Sequence, residues 1–272
     1  MIKLHDSFPA TLTGLDLVIG DSAKLLADVP SDTIDLVVTS PPYDGLRTYN
    51  GYCFDFETIA QQLYRVVKPG GVVVWIVGDA TVNGSETGTS FRQALYFKEC
   101  GFNLHDTMIY AKSSYMPLTH NRYEQAWEFM FVFSKGKPST FNPIMVPCVT
   151  VGTTNNRDKS KQQHETAYAA RAREEKTIVK SEKQHANIFF YAVGMNDKTT
   201  HTAPFPEQLV ADAIVSWSKT DDLVLDPFSG SGTTGKMCVL GGRNFLGFEI
   251  SKEYALASEK RINYVAAQLK MF

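Results

Sequence analysis

The segment Asp226-Pro227-Phe228-Ser229-Gly230-Ser231-Gly232-Thr233-Thr234-Gly235 follows an apolar run at 223–225 and opens a helix-like stretch at 233–240. Strand, glycine-rich turn and helix in that order define a βα unit, in which small residues let the backbone approach a ligand at the helix N-terminus. The rest of the chain alternates in the same way. Apolar, β-branched runs at 34–38, 71–77, 103–111, 129–134 and 244–249 read as strands, and segments at 56–67, 90–99, 207–218 and 253–268 read as helices. Lys68-Pro69-Gly70-Gly71 stops the helix before it and turns into the next strand, since proline denies the helix a donor and glycine accepts unusual dihedrals. The predicted architecture is one α/β domain: a mostly parallel sheet with helices on both faces, and loops meeting at the carboxyl ends of the strands.

A chain of 272 residues, 43% of them hydrophobic, holds ample apolar material for such a core. Its formal charge of -2 excludes a surface coated in basic residues, so contact with nucleic acid has to come from local clusters of Lys and Arg. Cys53, Cys100, Cys148 and Cys238 lie far apart with no Cys-x-x-Cys pair, which suggests neither a disulfide framework nor a zinc site. The six histidines form no spaced cluster, so no metal is expected. Trp75, Trp127 and Trp217 stand in apolar segments and read as core. No stretch approaches the roughly 20 apolar residues of a membrane span and the N-terminus lacks an apolar signal core, so a cytoplasmic protein is expected. Between 151 and 185 the apolar rhythm gives way to eight Lys or Arg against five Asp or Glu. That stretch reads as an insertion, partly helical around 165–175.

Three ligands compete for the glycine loop. Gly230 to Lys236 also satisfies G-x-x-x-x-G-K, but Met237 follows where a P-loop aims a hydroxyl at magnesium, which disfavours ATP and a nucleotide hydrolase. Glu249, 19 residues after Gly230 at the end of the next predicted strand, is placed to accept hydrogen bonds from ribose hydroxyls. A nicotinamide dinucleotide fits the glycines and this acid, yet Asp226 at the strand tip would set a carboxylate close to a pyrophosphate. A cationic nucleoside without phosphate tolerates Asp226 better, and S-adenosylmethionine, with a sulfonium and an ammonium group, is such a ligand.

A second motif follows the strand at 34–38: Thr39-Ser40-Pro41-Pro42-Tyr43. It makes a rigid turn that holds a hydroxyl, a carbonyl edge and an aromatic face together, a pocket for a flat amino group. With this motif ahead of the glycine loop, the chain resembles the β-class amino-methyltransferases of DNA, in which a Ser/Asp/Asn-Pro-Pro-Tyr motif precedes the cofactor loop. Gly20-Asp21 resembles that family's acidic turn near the cofactor adenine, and Val66-Val67-Lys68-Pro69-Gly70-Gly71 its strand-entry segment. Thr202-Ala203-Pro204-Phe205-Pro206-Glu207-Gln208-Leu209 resembles the segment that packs beside the methionine end of the cofactor.

The resemblance implies a circularly permuted, Rossmann-like methyltransferase fold, with the catalytic part in 1–149, an inserted target-recognition element in 150–190 and the cofactor-binding part in 191–272. It implies S-adenosylmethionine as cofactor, held by Asp21, Thr39, Phe205, Pro206, Asp226, Phe228, Gly230, Ser231, Gly232, Thr233, Thr234 and Glu249. Ser40, Pro41, Pro42 and Tyr43 are the implied catalytic residues. An exocyclic amino nitrogen is a poor nucleophile while its lone pair is delocalised into the ring; the Ser40 oxygen and the Pro41 carbonyl are the acceptors that would hold its hydrogens. Tyr43 would stack on the base.

A duplex substrate implies base flipping. Arg47, Tyr49 and Tyr52 are candidates to close over the flipped base, with Lys112, His120 and Arg122 as weaker candidates for DNA contact. Ser-Pro-Pro-Tyr is associated mainly with cytosine N4 and Asp-Pro-Pro-Tyr with adenine N6; cytosine N4 is the expected target and adenine N6 the alternative. A methyltransferase fold that only binds DNA would show a broken catalytic turn or a filled cofactor loop, and both motifs are intact in the sequence. The insertion is short for target recognition, which points to a homodimer sharing that task or to specificity for only a few bases.

Overall fold

The computed structural model describes residues 1–42, 54–114, 121–152, 154–155, 177–178, 180–192 and 206–269. Among them one nine-stranded sheet organises the chain. Its elements run β1 (Lys3–His5), β2 (Leu15–Ile19), α1 (Ser22–Asp28), β3 (Ile34–Thr39), α2 (Phe56–Val66), β4 (Val67–Val77), α3 (Thr89–Glu99), β5 (Asn103–Lys112) and β6 (Trp127–Ser134). They continue with β7 (Ile188–Tyr191), α4 (Glu207–Trp217), β8 (Leu223–Asp226), α5 (Thr233–Gly241), β9 (Asn244–Glu249) and α6 (Lys252–Leu269). The spatial order is β1-β2-β9-β8-β3-β4-β6-β5-β7. Only β6 runs against its neighbours; every other pair is parallel.

The sheet buries both faces, which is why its central strands are continuous apolar runs rather than alternating ones. On β4, Val73, Trp75 and Val77 point to a core shared with α1, α2 and α3 through Leu26, Leu63 and Phe97. Val72, Val74 and Ile76 point to the opposite core, shared with α4, α5 and α6 through Ile214, Cys238 and Ile262. An aromatic cluster dominates the first core: Phe97 is fully buried, stacks on Phe133 at 4.5 Å and meets Trp75 edge-on at 5.1 Å. The Trp75 indole N–H is satisfied by Gln93 Oε1 at 2.8 Å, as burial of a polar tip requires.

The structure departs from the sequence reading in a few places. Lys68-Pro69-Gly70-Gly71 does not precede β4 but lies inside it, as an irregularity where pairing with β3 jumps from Ile34–Val67 to Leu36–Val72. Trp127 is exposed, at 39%, whereas Trp75 and Trp217 are buried. β1, β2 and α1 form an edge of the sheet that apolar periodicity did not reveal. In β2 the pattern is broken by Asp16, which is fully buried and takes hydrogen bonds from Thr13 N, Thr13 Oγ1 and Gly14 N while facing His5 Nε2 at 2.9 Å.

Residues Pro143–Ala186 form a compact unit separate from the remainder. Within it Met145–Pro147 pairs antiparallel with Glu182–Gln184, and Thr154–Asn155 with Thr177–Ile178. The expected insertion at 150–190 therefore compares with a unit beginning seven residues earlier and ending four earlier; the helix expected around 165–175 lies outside the described residues. Among the described residues no helix is long and apolar enough to cross a membrane, and no group of His, Cys, Asp or Glu could hold a metal ion.

Because Phe97 fills the junction of α3 with β4 and β6, Phe97→Ala is expected to cost about 3–5 kcal/mol of stability, read as a lower midpoint in urea denaturation.

Candidate active site

Parallel α/β sheets place ligands outside the carboxyl ends of strands, where the strand order reverses. Here the reversal falls between β8 and β3: β8 is followed through α5 by β9 on one side, and β3 is followed through α2 by β4 on the other. These two strands end in the two motifs singled out in the sequence. They are joined there by a hydrogen bond of 2.6 Å from Thr39 Oγ1 to Asp226 Oδ1. Ser40 and Pro42, which continue from β3, are half-buried, and Pro41 is buried. Tyr43, Arg47, Tyr49, Tyr52 and His120 lie outside the described residues, as does Phe205.

Asp226 is fully buried and held by three donors. Besides Thr39, the Phe228 amide donates to Oδ1 at 3.0 Å and Thr234 Oγ1 donates to Oδ2 at 2.7 Å. One side chain thus ties the end of β3, the glycine turn and the first turn of α5. Burial raises its pKa to about 6 despite these three hydrogen bonds, which act in the opposite direction.

Glu249 ends β9, next to β8. Its Oε2 accepts from Gly230 N and its Oε1 from Ser251 N, both at 2.8 Å, so the carboxylate clasps the glycine turn from the side. Burial raises its pKa; the backbone donors oppose that and the nearby Asp226 adds to it. With the Ile250 amide as a third backbone donor, most of the roughly four lone-pair sites of the carboxylate are used, which leaves about one for a ligand hydroxyl. On the far side of β9, Asp21 follows β2 and caps α1 through a 3.0 Å bond from Ala23 N, while Gly20 N donates to the Glu249 carbonyl at 3.0 Å. The next residue, Ser22, donates its hydroxyl to the Pro227 carbonyl.

The glycines have two distinct jobs. Gly230 and Gly232 adopt φ of 49° and 77°, a region that L side chains rarely enter. A Cβ on Gly232 would also lie 2.1 Å from Ser258 Oγ, and one on Gly235 2.5 Å from Ile262 Cδ1, so these glycines let α5 press against α6. Ser229, 4% exposed, has a hydroxyl with no partner among the described residues, the kind of orphaned polar atom that a bound ligand satisfies. The Phe228 ring packs edge-on against Phe54 at 5.5 Å and Trp75 at 6.3 Å. No side chain caps the start of α5.

A contact set not legible in the sequence backs this turn. Arg261 of α6 donates Nη1 to the Ser231 carbonyl at 3.0 Å, Ser231 Oγ at 3.1 Å and Thr233 Oγ1 at 3.2 Å, and Nη2 to Glu207 Oε1 at 2.6 Å. Lys236, the lysine of the P-loop-like spacing, donates to the same Glu207 oxygen at 2.5 Å. The only sequence signal was a charged residue directly preceding the buried Ile262 in α6. Of the weaker candidates, Lys112 pairs with Glu128 at 2.7 Å and Arg122 contacts Glu86 at 3.7 Å.

The chemistry of the strand ends follows from these placements. Three acids, Asp21, Asp226 and Glu249, stand at neighbouring strand ends, while Arg261 and Lys236 beside the glycine turn are engaged by Glu207. A phosphate would meet carboxylates there, whereas a cationic nucleoside would meet favourable charge and a carboxylate able to accept from its hydroxyls.

A parallel sheet with this switch point, glycine turn and prolyl turn is the Rossmann-like methyltransferase fold in circularly permuted form, and solved structures agree. The chain superposes on the M1.HpyAVI–SAM complex with a TM-score of 0.62 at 25% identity, covering 91% of this chain and 98% of that one. With the PvuII DNA methyltransferase, described as cytosine-N4-specific, the TM-score is 0.66 at 21% identity over 97% and 94%. Residues 34–260 match the DNA methylase family N6_N4_Mtase. The orphan methyltransferase M.BamHII of Bacillus amyloliquefaciens is 50% identical over 254 residues, 88% of this chain and 92% of that protein. The chain belongs to this family of N6/N4 DNA methylases, the β-class amino-methyltransferases.

The raised pKa of Asp226 carries a definite pH dependence. Its native value near 6 lies above the unfolded value near 4, so the native state keeps the proton in that window while the unfolded chain releases it. The resulting stabilisation is fully present below about pH 4 and is lost as pH rises through about 6, an effect of roughly 3 kcal/mol. Asp226→Asn is expected to remove it, so that the stability of the variant relative to wild type improves between pH 4 and pH 7 in paired urea titrations.

Proposed function

We propose that this protein transfers a methyl group from S-adenosylmethionine to the exocyclic amino group of a flipped base in DNA, with cytosine N4 as the target. The observation that carries the reading is the Thr39–Asp226 hydrogen bond, which places the start of the prolyl turn against the cofactor turn at the switch point of the sheet. S-adenosylmethionine supplies an electrophilic methyl group from its sulfonium. Glu249 and Asp21 are the residues proposed for its ribose and adenine, and the 228–234 turn for its methionine part, with Ser229 offering an unpaired hydroxyl there.

The protein's own task is then to hold the amine. Ser40 Oγ and the Pro41 carbonyl accept its two hydrogens, which draws the nitrogen toward a pyramidal geometry and localises its lone pair. Tyr43 stacks on the base and contributes about 1–3 kcal/mol. Pro41 and Pro42 fix the turn in advance, so little ordering remains to be done when the base arrives, and positioning supplies much of the acceleration. Ser40 in place of an acidic residue favours cytosine N4. Residues 150–190, within and just beyond the Pro143–Ala186 unit, are proposed to supply phosphate and base-edge contacts.

The test is incubation with labelled S-adenosylmethionine and plasmid DNA, digestion to nucleosides and separation of the products. Label in N4-methylcytosine is the expected outcome; label in N6-methyladenine overturns the choice of base, and label in neither overturns the DNA reading. Ser40→Ala is expected to lower kcat by at least about 100-fold while sparing cofactor affinity, and Glu249→Ala to weaken cofactor binding in calorimetry. A homodimer that shares target recognition is proposed from the small size of the insertion. Sedimentation velocity with and without duplex DNA should then show a two-protomer species, and a monomer under both conditions would exclude it.

A further inference from the structure

We infer that Arg261 and Glu207 form a clamp that positions the cofactor loop, so that Arg261 is a positioning residue for S-adenosylmethionine binding. The inference rests on the proposed site for that cofactor. Its basis is the way one guanidinium joins three elements distant in sequence. Through Nη1 it holds the Ser231 carbonyl and the hydroxyls of Ser231 and Thr233, and through Nη2 it holds Glu207 at the start of α4. The Arg261 side chain is 15% exposed, which shelters its bonds to the turn, while the Glu207 side chain, at 38%, stays open to water.

The turn needs an external hold. Ser231 stands between two glycines with positive φ, and glycine carries the largest backbone entropy to be lost on ordering. Fixing the Ser231 carbonyl fixes the peptide plane that leads into Gly232, whose amide bonds the Ser229 carbonyl at 2.8 Å. The clamp therefore sets the course of the backbone from the orphaned Ser229 hydroxyl to the first turn of α5. Glu207 lies within the 202–209 segment that resembles the family's methionine-end contact. Clamping Glu207 ties that segment to the glycine turn.

Lys236 donates to the same Glu207 oxygen, and together the two cations hold the carboxylate's pKa down against the upward pull of burial. Arginine is suited to this place because its planar fork reaches Glu207 and the loop at once, whereas a lysine ammonium on a flexible stem serves one of them well.

Calorimetry with S-adenosylmethionine, paired with methylation kinetics, tests the clamp in Arg261→Gln, Arg261→Lys and Glu207→Gln. Lys68→Met is the control, since it breaks an ion pair of 2.7 Å with Asp35 at the opposite, amino end of the sheet. The expected result is a Kd for S-adenosylmethionine raised about tenfold in Arg261→Gln, with partial recovery in Arg261→Lys and an intermediate rise in Glu207→Gln. KM for DNA and kcat at saturating cofactor should stay within about twofold of wild type, and the control should bind as wild type does. A merely structural ion pair would lower Tm and leave the Kd of the folded protein unchanged, and that result overturns the clamp. Should Arg261→Gln fail to fold, Arg261→Lys and Glu207→Gln decide alone: unchanged Kd in both overturns the inference, and a raised Kd in either supports it. Wild-type protein that binds no S-adenosylmethionine overturns the cofactor reading and the clamp together, whereas wild-type binding with unaltered variants overturns the clamp only.

Discussion

A buried hydrogen bond between the Thr39 hydroxyl and the Asp226 carboxylate joins two segments 187 residues apart, and the candidate site is organised around it. Its location follows from the sheet. β8 and β3 are adjacent but lead away from each other, so their carboxyl ends open a crevice that neither the following helices nor loops fill by necessity. Asp226 ties the two strand ends together and collects three donors from three elements. A carboxylate in such a place is costly to ionise, which its raised pKa records, and the hydrogen bonds are what make it tolerable.

The electrostatics of the crevice also sort its possible ligands. The G-x-x-x-x-G-K spacing resembles that of a nucleotide triphosphate loop, a reading that Met237 and the absence of an obvious magnesium-binding partner disfavoured in the sequence. In the structure the lysine of that pattern is bound to Glu207, on the side of the turn that faces α4 and α6. The strand ends are lined instead by acids. Charge placement of this kind separates a sulfonium nucleoside from a phosphorylated one more firmly than glycine spacing does, because every dinucleotide and mononucleotide turn shares the glycines.

Much of the sheet was legible because its central strands are buried on both faces and therefore spell continuous apolar runs, as in 71–77 and 244–249. The edge was not. β2 carries the buried Asp16, whose four polar neighbours are satisfied only in three dimensions, and α1 spans seven residues, too few for a helical period to stand out. Trp127 looked like core because it stands in an apolar segment, yet it is the first residue of β6 and is 39% exposed. Lys68-Pro69-Gly70-Gly71 was legible as a break but not as a break within a strand, since pairing with β3 resumes beyond it. In the site, residues next to one another in the chain could be recognised as motifs. Arg261 could not, because its partners at 207, 231 and 233 come from other parts of the chain and no local pattern announces such a meeting.

The permuted order of the strands bears on how the molecule is made. β2 and β3 are separated in the sheet by β9 and β8, strands that are synthesised some two hundred residues later. The N-terminal third therefore emerges with a gap two strands wide between its own elements, and Thr39 at the start of its prolyl turn lacks its partner until Asp226 has left the ribosome. Such long-range closure is slow, and the unpaired edges of β2 and β3 stay open to mispairing in the meantime. A consequence is that the candidate site is assembled late, once β8 and β9 have been inserted between β2 and β3.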